Sequence, residues 1–262
     1  MVARATSRPG SVGYVLHSHD WSESSLILDL FTRDHGRVVA VAKGAKRPYS
    51  QLRPVLLPFQ LIHVTFGARR TEEADVWLVR QAEWAGGTAW PGGAAMLPGF
   101  YVNELLMRLL ARHDPHPVLF DAYQQVLQVL PDPALLQAGL RAFELMLLRQ
   151  LGLLPDLGAE TIGGVALQPD LRYEIHPELG VVQPQWQGGD LPVVLSALTG
   201  DALSGLDRAL GHAHAGQGMA PLMAATLPVL AELKAILRPL LQYHLGSQTL
   251  RTRQLMMELQ QA

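Results

Sequence analysis

Residues 11–84 alternate apolar and polar side chains with a period of two, and turn residues interrupt the alternation at short intervals. A two-residue period places successive side chains on opposite faces of a β-strand. Five runs fit this pattern, at residues 11–19, 25–32, 37–43, 55–67 and 74–84. Five short strands joined by short turns predict a small closed barrel, although half of a β-sandwich would have the same pattern. Pro58 predicts a bulge or an edge position in the fourth run, because proline has no backbone N–H.

The pattern changes after residues 85–99, a stretch rich in Gly, Ala and Pro that predicts a domain boundary. Apolar residues then recur every three or four positions, which is the period of an amphipathic helix. The predicted helices are 100–113, 116–130, 134–152, 191–200, 203–213, 226–246 and 249–261. Residues 171–183 predict a β-hairpin within an insert of about 157–185. We therefore expect an α+β protein, with a strand domain over residues 1–84 and a helical domain over residues 85–262.

The composition is that of a soluble globular protein, with 48% hydrophobic and 17% charged residues. The absence of cysteine excludes disulfides and thiolate metal ligands, and it fits a reducing compartment. The N-terminal residues lack the apolar segment of a secretory signal, and no uncharged apolar run is long enough to span a membrane. We expect a cytoplasmic protein that does not act at a membrane.

Charge is distributed unevenly along the chain. Residues 1–80 contain eleven Lys/Arg and seven Asp/Glu, whereas residues 81–230 contain six and fourteen. Residues 231–262 contain four and two. This asymmetry favours a polyanionic partner for the first part of the chain, although a solvated surface could also produce it by chance.

Four cations lie within eleven consecutive residues with no acid among them: Lys43, Lys46, Arg47 and Arg53. Gly44 has no Cβ, so the backbone there can approach a ligand closely. Lys46 and Arg47 could bracket a phosphate, the first as a point charge and the second as a planar fork. Tyr49 could stack on an unpaired base. The alternative interpretation is a solvated loop.

Further cations lie near other predicted turns of the barrel. Arg33 and Arg37 flank one turn, and Arg69 and Arg70 lie at the tip of another. Basic loops with interleaved aromatic residues predict binding of single-stranded nucleic acid. Trp21 could also stack on a base, but we expect its indole to close one end of the barrel core.

Catalytic and metal-binding patterns are missing from the sequence. It has no nucleophile elbow, zinc-protease motif, phosphate-binding P-loop or dinucleotide-binding glycine motif. His17 with His19, and His212 with His214, are pairs without a third ligand nearby. We expect neither an enzyme nor a metal or other cofactor.

Several motifs occur in the order and spacing of a known family. They are W-S-E-x-S-L at residues 21–26, L-F-T with G-R-V at 30–38, V-A-K-G-A at 41–45, and helical segments at 99–110, 140–152 and 250–256. The chain resembles the RecO family of bacterial DNA repair and recombination mediators over most of its length, and the likeness is weakest over residues 157–214.

The resemblance implies an N-terminal OB-fold barrel followed by a mainly helical domain with a short β-hairpin insertion. It implies binding of single- and double-stranded DNA, annealing of complementary strands and, with RecR, loading of RecA onto DNA coated by single-strand-binding protein. The implied protein is monomeric on its own and associates with the nucleoid during repair. By the resemblance, Lys43, Lys46, Arg47 and Arg53 contact phosphates.

Two further implications concern the helical domain. Many relatives carry a four-cysteine zinc module, which this chain lacks, so residues 153–183 must hold together by packing alone. Arg141 matches the arginine that binds the C-terminal tail of single-strand-binding protein. Without the resemblance, the residues predict only an OB-like nucleic-acid-binding protein. An RNA-binding protein, or an adaptor acting through its helical domain, would fit the same residues.

Overall fold

The structure, a computed structural model, describes residues 10–67, 76–86, 93, 96–184, 197–246 and 250–261. Five strands close into a barrel with the order β1-β2-β3-β5-β4. They are β1 (Ser11–Asp20), β2 (Leu26–Thr32), β3 (Gly36–Ala42), β4 (Leu61–Phe66) and β5 (Val76–Trp84). Strands β3 and β5 pair in parallel, and all other neighbouring pairs are antiparallel. This confirms the predicted α+β fold with a five-stranded OB-fold barrel at the N-terminal side.

The barrel core consists of the apolar side chains that alternate inward along the strands. These include Val15, Leu28, Leu30, Val38, Ala40, Ile62, Val64, Phe66, Trp77 and Val79. Alternation places one face of each strand inside the barrel, which is why the two-residue period predicted the strands so closely.

The fourth strand is shorter than predicted. It begins at Leu61, three residues after Pro58, which forms only an isolated bridge with Val15. Phe59, between the two, has a φ of 66°, which a strand residue does not adopt. Pro58 therefore precedes the strand, and the β4 irregularity lies instead between Thr65 and Phe66.

The described chain forms two compact units, and they divide it differently from the predicted boundary at residue 84. The first unit, Met1–Phe120 with Thr252–Ala262, joins the barrel to α1 (Met96–Leu109), the start of α2 (Pro117–Val129) and α7 (Arg251–Gln261). Helix α1 is fixed to β1 by a buried hydrogen bond from Asn103 Nδ2 to the carbonyl oxygen of Leu16, at 2.9 Å. The chain thus returns to the barrel unit at its C-terminal helix.

A buried carboxylate holds that C-terminal helix. Glu104, which is 7% exposed, accepts hydrogen bonds from the backbone N–H of Thr252 at 3.0 Å and from its hydroxyl at 2.7 Å. Its other oxygen is 2.7 Å from Arg108 Nη2. The first N–H groups of a helix have no hydrogen-bond partner within that helix. Glu104 on α1 accepts one of these hydrogen bonds from α7.

We expect Glu104→Ala to reduce the free energy of unfolding by about 2–3 kcal/mol, since hydrogen bonds to a buried charged group are among the strongest in proteins. Hydrogen exchange should rise across α7 at the same time. Glu258→Ala is the control, because Glu258 lies on α7 but is exposed. Equal stability of the two variants would show that Glu104 does not hold the helix.

The second unit, Asp121–Arg251, contains most of the helices. They are the remainder of α2, α3 (Leu136–Gln150), α4 (Gly200–His212), α5 (Ala220–Thr226) and α6 (Leu230–Leu245), with a single π turn at Ala213–Gln217 and a 3-10 turn at Leu227–Val229. A three-stranded sheet with the order β7-β6-β8 accompanies them, formed by β6 (Arg172–His176), β7 (Gly180–Val182) and β8 (Ala197–Thr199). The predicted hairpin is confirmed.

The prediction of a helix over 191–200 is wrong for residues 197–199, which form β8. Residues 191–196 lie outside the described residues. Arg172–Glu174 pair with β8. The hydroxyl of Thr199 then accepts a hydrogen bond from the N–H of Ala202 and caps α4. Threonine is a favoured N-cap in an extended conformation, so the chain is a strand up to this residue and a helix after it.

Hydrogen bonds within residues 153–183 hold this segment together. The N–H of Thr161 donates to the carbonyl of Val181, and the Thr161 hydroxyl accepts from the N–H of Val181 at 2.8 Å. The buried Tyr173 hydroxyl accepts from the N–H of Gln168 at 2.9 Å. The hairpin and the preceding loop are therefore joined by polar contacts as well as by apolar packing.

One stretch of the described chain, Ala220–Leu245, is helical and apolar enough to cross a membrane by length and composition alone. Its apolar side chains Leu233, Ile236, Leu237, Leu240 and Leu241 are buried in the second unit. The stretch also contains Lys234, Arg238 and an internal proline at Pro239. The remaining positions of the stretch are mostly exposed or half-buried, so it is amphipathic, with one side packed in the unit.

Candidate nucleic-acid interface

The basic loop, defined as residues 43–60, joins β3 to β4 and is folded into tight turns. The N–H of Arg47 donates to the carbonyl of Gly44 at 3.1 Å, and the N–H of Ser50 donates to that of Arg47 at 3.0 Å. Ala45 and Leu56 are buried in the barrel core. Because these apolar residues pack into the barrel core, the charged residues of the loop lie on the solvent side.

Three of the loop cations have no acidic partner. Lys43, Arg47 and Arg53 are exposed, and no carboxylate lies within 4.0 Å of them in the described parts of the chain. Gly44 has a φ of 74°, and a Cβ there would lie 3.6 Å from Arg47 Cδ. Arg47 therefore packs against Gly44, whose positive φ is adopted readily only by glycine. These three side chains can reach a phosphate without breaking an existing ion pair.

Lys46, unlike these three cations, has an acidic partner. Its ammonium lies 2.8 Å from Asp20 Oδ2 and 3.2 Å from the carbonyl oxygen of Ser22, and its backbone N–H donates to Ser24. These bonds join the basic loop to the β1–β2 turn, defined as residues 20–25. The sequence grouped Lys46 with the phosphate contacts, whereas its geometry makes it a brace between two loops.

Arg33 and Arg37 lie away from the basic loop. Strand β2 runs from the β1–β2 turn to the turn at 33–35, so the two turns lie at opposite ends of β2. The Arg37 guanidinium donates to Asp29 Oδ1 at 3.1 and 3.3 Å and to the carbonyl of Leu110 at 3.2 Å, and only 16% of its side chain is exposed. Arg33 Cζ lies 5.9 Å from the ring centre of Phe120.

The predicted cations therefore do not form one surface. Arg37 is bound to Asp29 and Leu110 within the barrel unit and is not part of the proposed interface. Arg69 and Arg70 lie outside the described residues. The end of the barrel that carries the basic loop remains as the candidate site.

Aromatic side chains are exposed at this end. Tyr49, on the basic loop, is 95% exposed, and Trp21, on the β1–β2 turn, is 65% exposed. The expectation that Trp21 closes the barrel core is wrong, because Ala45, Leu52 and Leu56 from the basic loop pack on the core there. The indole is left on the surface.

Arg80 was missed by the sequence analysis. It lies on β5, where Trp77 and Val79 point into the core and Val76, Leu78 and Arg80 are exposed. No acidic partner lies within 4.0 Å of it among the described residues. The alternation along β5 could have identified it as an outward-facing cation.

Neighbouring side chains contact three of the four histidines of the two pairs. His17 and His19 lie on one face of β1 as predicted, with ring centres 4.3 Å apart. His214 Nδ1 is 2.7 Å from Gln150 Nε2. Within the described ranges, no three His, Asp or Glu side chains gather as metal ligands.

Arg141 lies on α3 and is buried rather than solvated. Its residue is 8% exposed, and Nη2 is 2.7 Å from Oε1 of Glu144, whose side chain is 1% exposed. Its Nε has no hydrogen-bond partner in the described structure. The apolar side chains Leu140, Phe143 and Leu147 lie on the same helix and are buried as well.

Two family models match consecutive parts of the chain. Family models described as "Recombination protein O N terminal" and "Recombination protein O C terminal" match residues 11–87 and 93–254. A "DNA repair protein RecO" of Albidiferax ferrireducens is 49% identical over 252 residues, covering 94% of both chains. One from a Polaromonas species is 49% identical over 259 residues, covering 98% of this chain and 99% of that one. The chain therefore belongs to the RecO family of DNA repair proteins.

Proposed function

We propose that the chain binds single- and double-stranded DNA through the end of the barrel that carries the basic loop. The observation that supports this is the group of three exposed cations, Lys43, Arg47 and Arg53, which lie beside an exposed tyrosine and have no acidic partner among the described residues. Unpaired cations attract phosphates and release the counterions condensed on DNA, whereas exposed rings offer a stacking surface to bases.

Family membership supports a wider role. We propose that the protein is not an enzyme, that it anneals complementary strands, and that it acts with RecR in loading RecA onto DNA coated by single-strand-binding protein. Binding two strands at one cationic surface lowers their mutual repulsion, which is a physical basis for annealing. We also propose that the protein is cytoplasmic, is monomeric on its own and associates with the nucleoid during repair.

The test is annealing of complementary oligonucleotides that are first coated with single-strand-binding protein. We expect the protein to anneal coated strands and to do so without nucleotide hydrolysis. An RNA oligonucleotide of equal length should displace the bound DNA no better than a competing DNA oligonucleotide does. Binding that depends on the RNA 2′-hydroxyl would favour the RNA-binding alternative. DNA binding insensitive to changes in the barrel would favour the adaptor.

The tail of single-strand-binding protein is proposed to bind beside Arg141 on α3. A C-terminal carboxylate is matched by a charge-assisted guanidinium contact. The neighbouring apolar side chains Leu140, Phe143 and Leu147 are buried, so a ring of the tail would have to displace part of their packing. Glu144 already occupies one side of the guanidinium. The tail would therefore have to use the remaining donors of Arg141, next to a negative charge.

A further inference from the structure

Trp21 is exposed although its surroundings are ordered. The indole-bearing residue is 65% exposed. Its backbone N–H donates to the carbonyl of Ser25 at 3.1 Å, so the β1–β2 turn has a defined backbone conformation. A large apolar ring on the surface gains nothing from the barrel core, and this is unusual for tryptophan, which is highly buried on average.

The turn that carries this indole is fixed to the basic loop. Lys46 spans the two segments with three hydrogen bonds, to Asp20, Ser22 and Ser24. The Asp20 side chain is largely exposed, so the backbone bond from Lys46 to Ser24 is the firmer of these ties. Together the three bonds keep the Trp21 turn beside the loop whose cations Lys43, Arg47 and Arg53 have no acidic partner among the described residues.

We infer that Trp21 is a stacking site for an unpaired nucleobase, and that Lys46 is the positioning residue that holds it beside the phosphate-binding loop. This inference rests on the proposed DNA binding and adds to it a residue that selects single strands. A base in a duplex is already stacked on both faces, whereas an unpaired base can stack on a protein ring. The site is thus specific for single-stranded DNA but not for its sequence.

The charges around the turn indicate how a strand would lie. Glu23 is exposed on the same turn and has no ion pair among the described residues, so it disfavours a phosphate beside the indole. The cations of the basic loop favour phosphates on their side. The strand backbone would therefore follow the basic loop, and a base would point towards Trp21.

Oligo-dT and a blunt duplex, bound separately by the full chain, test this inference. We expect Trp21→Ala to weaken oligo-dT binding about tenfold, the typical effect of losing one stacked base, and to change duplex binding less than twofold. Trp21→Phe should recover most of the loss. The slope of log K against log salt should stay constant, because no phosphate contact is removed.

Trp84→Ala is the matched control for exposure. Trp84 is also 65% exposed, but it ends β5 beside the exposed Glu83 and has no tie to the basic loop in the described structure. We expect this variant to bind oligo-dT as the wild type does. A loss equal to that of Trp21→Ala would overturn the assignment of a specific stacking site.

The brace is tested by Asp20→Asn combined with Lys46→Met, which removes the ion pair without changing net charge. If Lys46 positions the turn, oligo-dT binding weakens while the salt slope is unchanged. If the negative slope of log K against log salt becomes shallower by about 0.7, Lys46 is a phosphate contact and its positioning role is overturned.

The remaining outcomes separate this inference from the proposed function. If the wild type binds oligo-dT and Trp21→Ala binds it equally well, the stacking site is wrong and DNA binding stands. If the wild type does not bind oligo-dT, the proposed function itself fails. If Trp21→Ala loses only RecR binding, Trp21 is a protein contact and the inference is overturned.

Discussion

Replacing Lys43, Arg47 and Arg53 together by alanine is expected to weaken single-stranded DNA binding about a hundredfold at 0.1 M salt. Each phosphate neutralised on a single strand releases about 0.7 counterion. Three lost contacts therefore make the negative slope of log K against log salt shallower by about 2. The same relation predicts that the loss shrinks as salt approaches about 1 M. Fluorescence anisotropy of a labelled oligo-dT across a salt series measures both quantities.

The matched control removes three cations from the second unit. Arg208, Lys234 and Arg238 are exposed there, and no ion pair to them is found in the described structure. Their joint replacement by alanine changes the net charge by the same amount. We expect it to leave the slope close to that of the wild type. Equal slopes for both triple variants would mean that the basic loop is not the phosphate-binding surface.

Replacing Arg141 by alanine is expected to lower the free energy of unfolding by about 3–5 kcal/mol, because it removes the guanidinium that pairs with the buried Glu144 carboxylate. The control is Arg149→Ala on the same helix. Arg149 pairs with Asp207, but both side chains are about a third exposed. A pair in contact with water contributes about 0–1 kcal/mol, so this variant should be nearly as stable as the wild type.

Chemical denaturation of the two variants measures the difference. If Arg141→Ala were no less stable than Arg149→Ala, the buried pair would not be a structural element. The result also decides how tail binding can be tested. An alanine at 141 changes the stability of the unit and removes the guanidinium at the same time, so the informative change for tail binding is Arg141→Lys.

Lysine keeps a positive charge beside Glu144 but loses the planar fork of the guanidinium. We expect Arg141→Lys to remain folded and to bind a peptide of the single-strand-binding-protein tail about tenfold more weakly, consistent with the loss of one charge-assisted hydrogen bond. Oligo-dT binding should be unchanged. Equal peptide affinity for wild type and Arg141→Lys would remove Arg141 from the tail site.

The barrel was predictable from the sequence because its strands are defined by local alternation. Each inward residue is two positions from the next, so one face is recognisable without knowing its neighbours. The error at β8 has the opposite origin. Residues 197–199 form a strand because Arg172–Glu174 pair with them, and no local pattern records a partner more than twenty residues away.

The cationic loop could be recognised from the sequence, but the partners of its cations could not. The absence of acids around Lys43, Arg47 and Arg53 is visible along the chain, and among the described residues these side chains are exposed and have no acidic partner. Lys46 and Arg37 were grouped with them, since their partners Asp20 and Asp29 lie on other strands. Whether a cation is available to a ligand depends on such distant carboxylates.

Hydrogen exchange of the full chain with and without saturating oligo-dT tests the location of the DNA most directly. The account predicts slower exchange in the basic loop and in the β1–β2 turn, with little change in α3 and α6. Protection confined to the second unit, with these two loops unaffected, would contradict it.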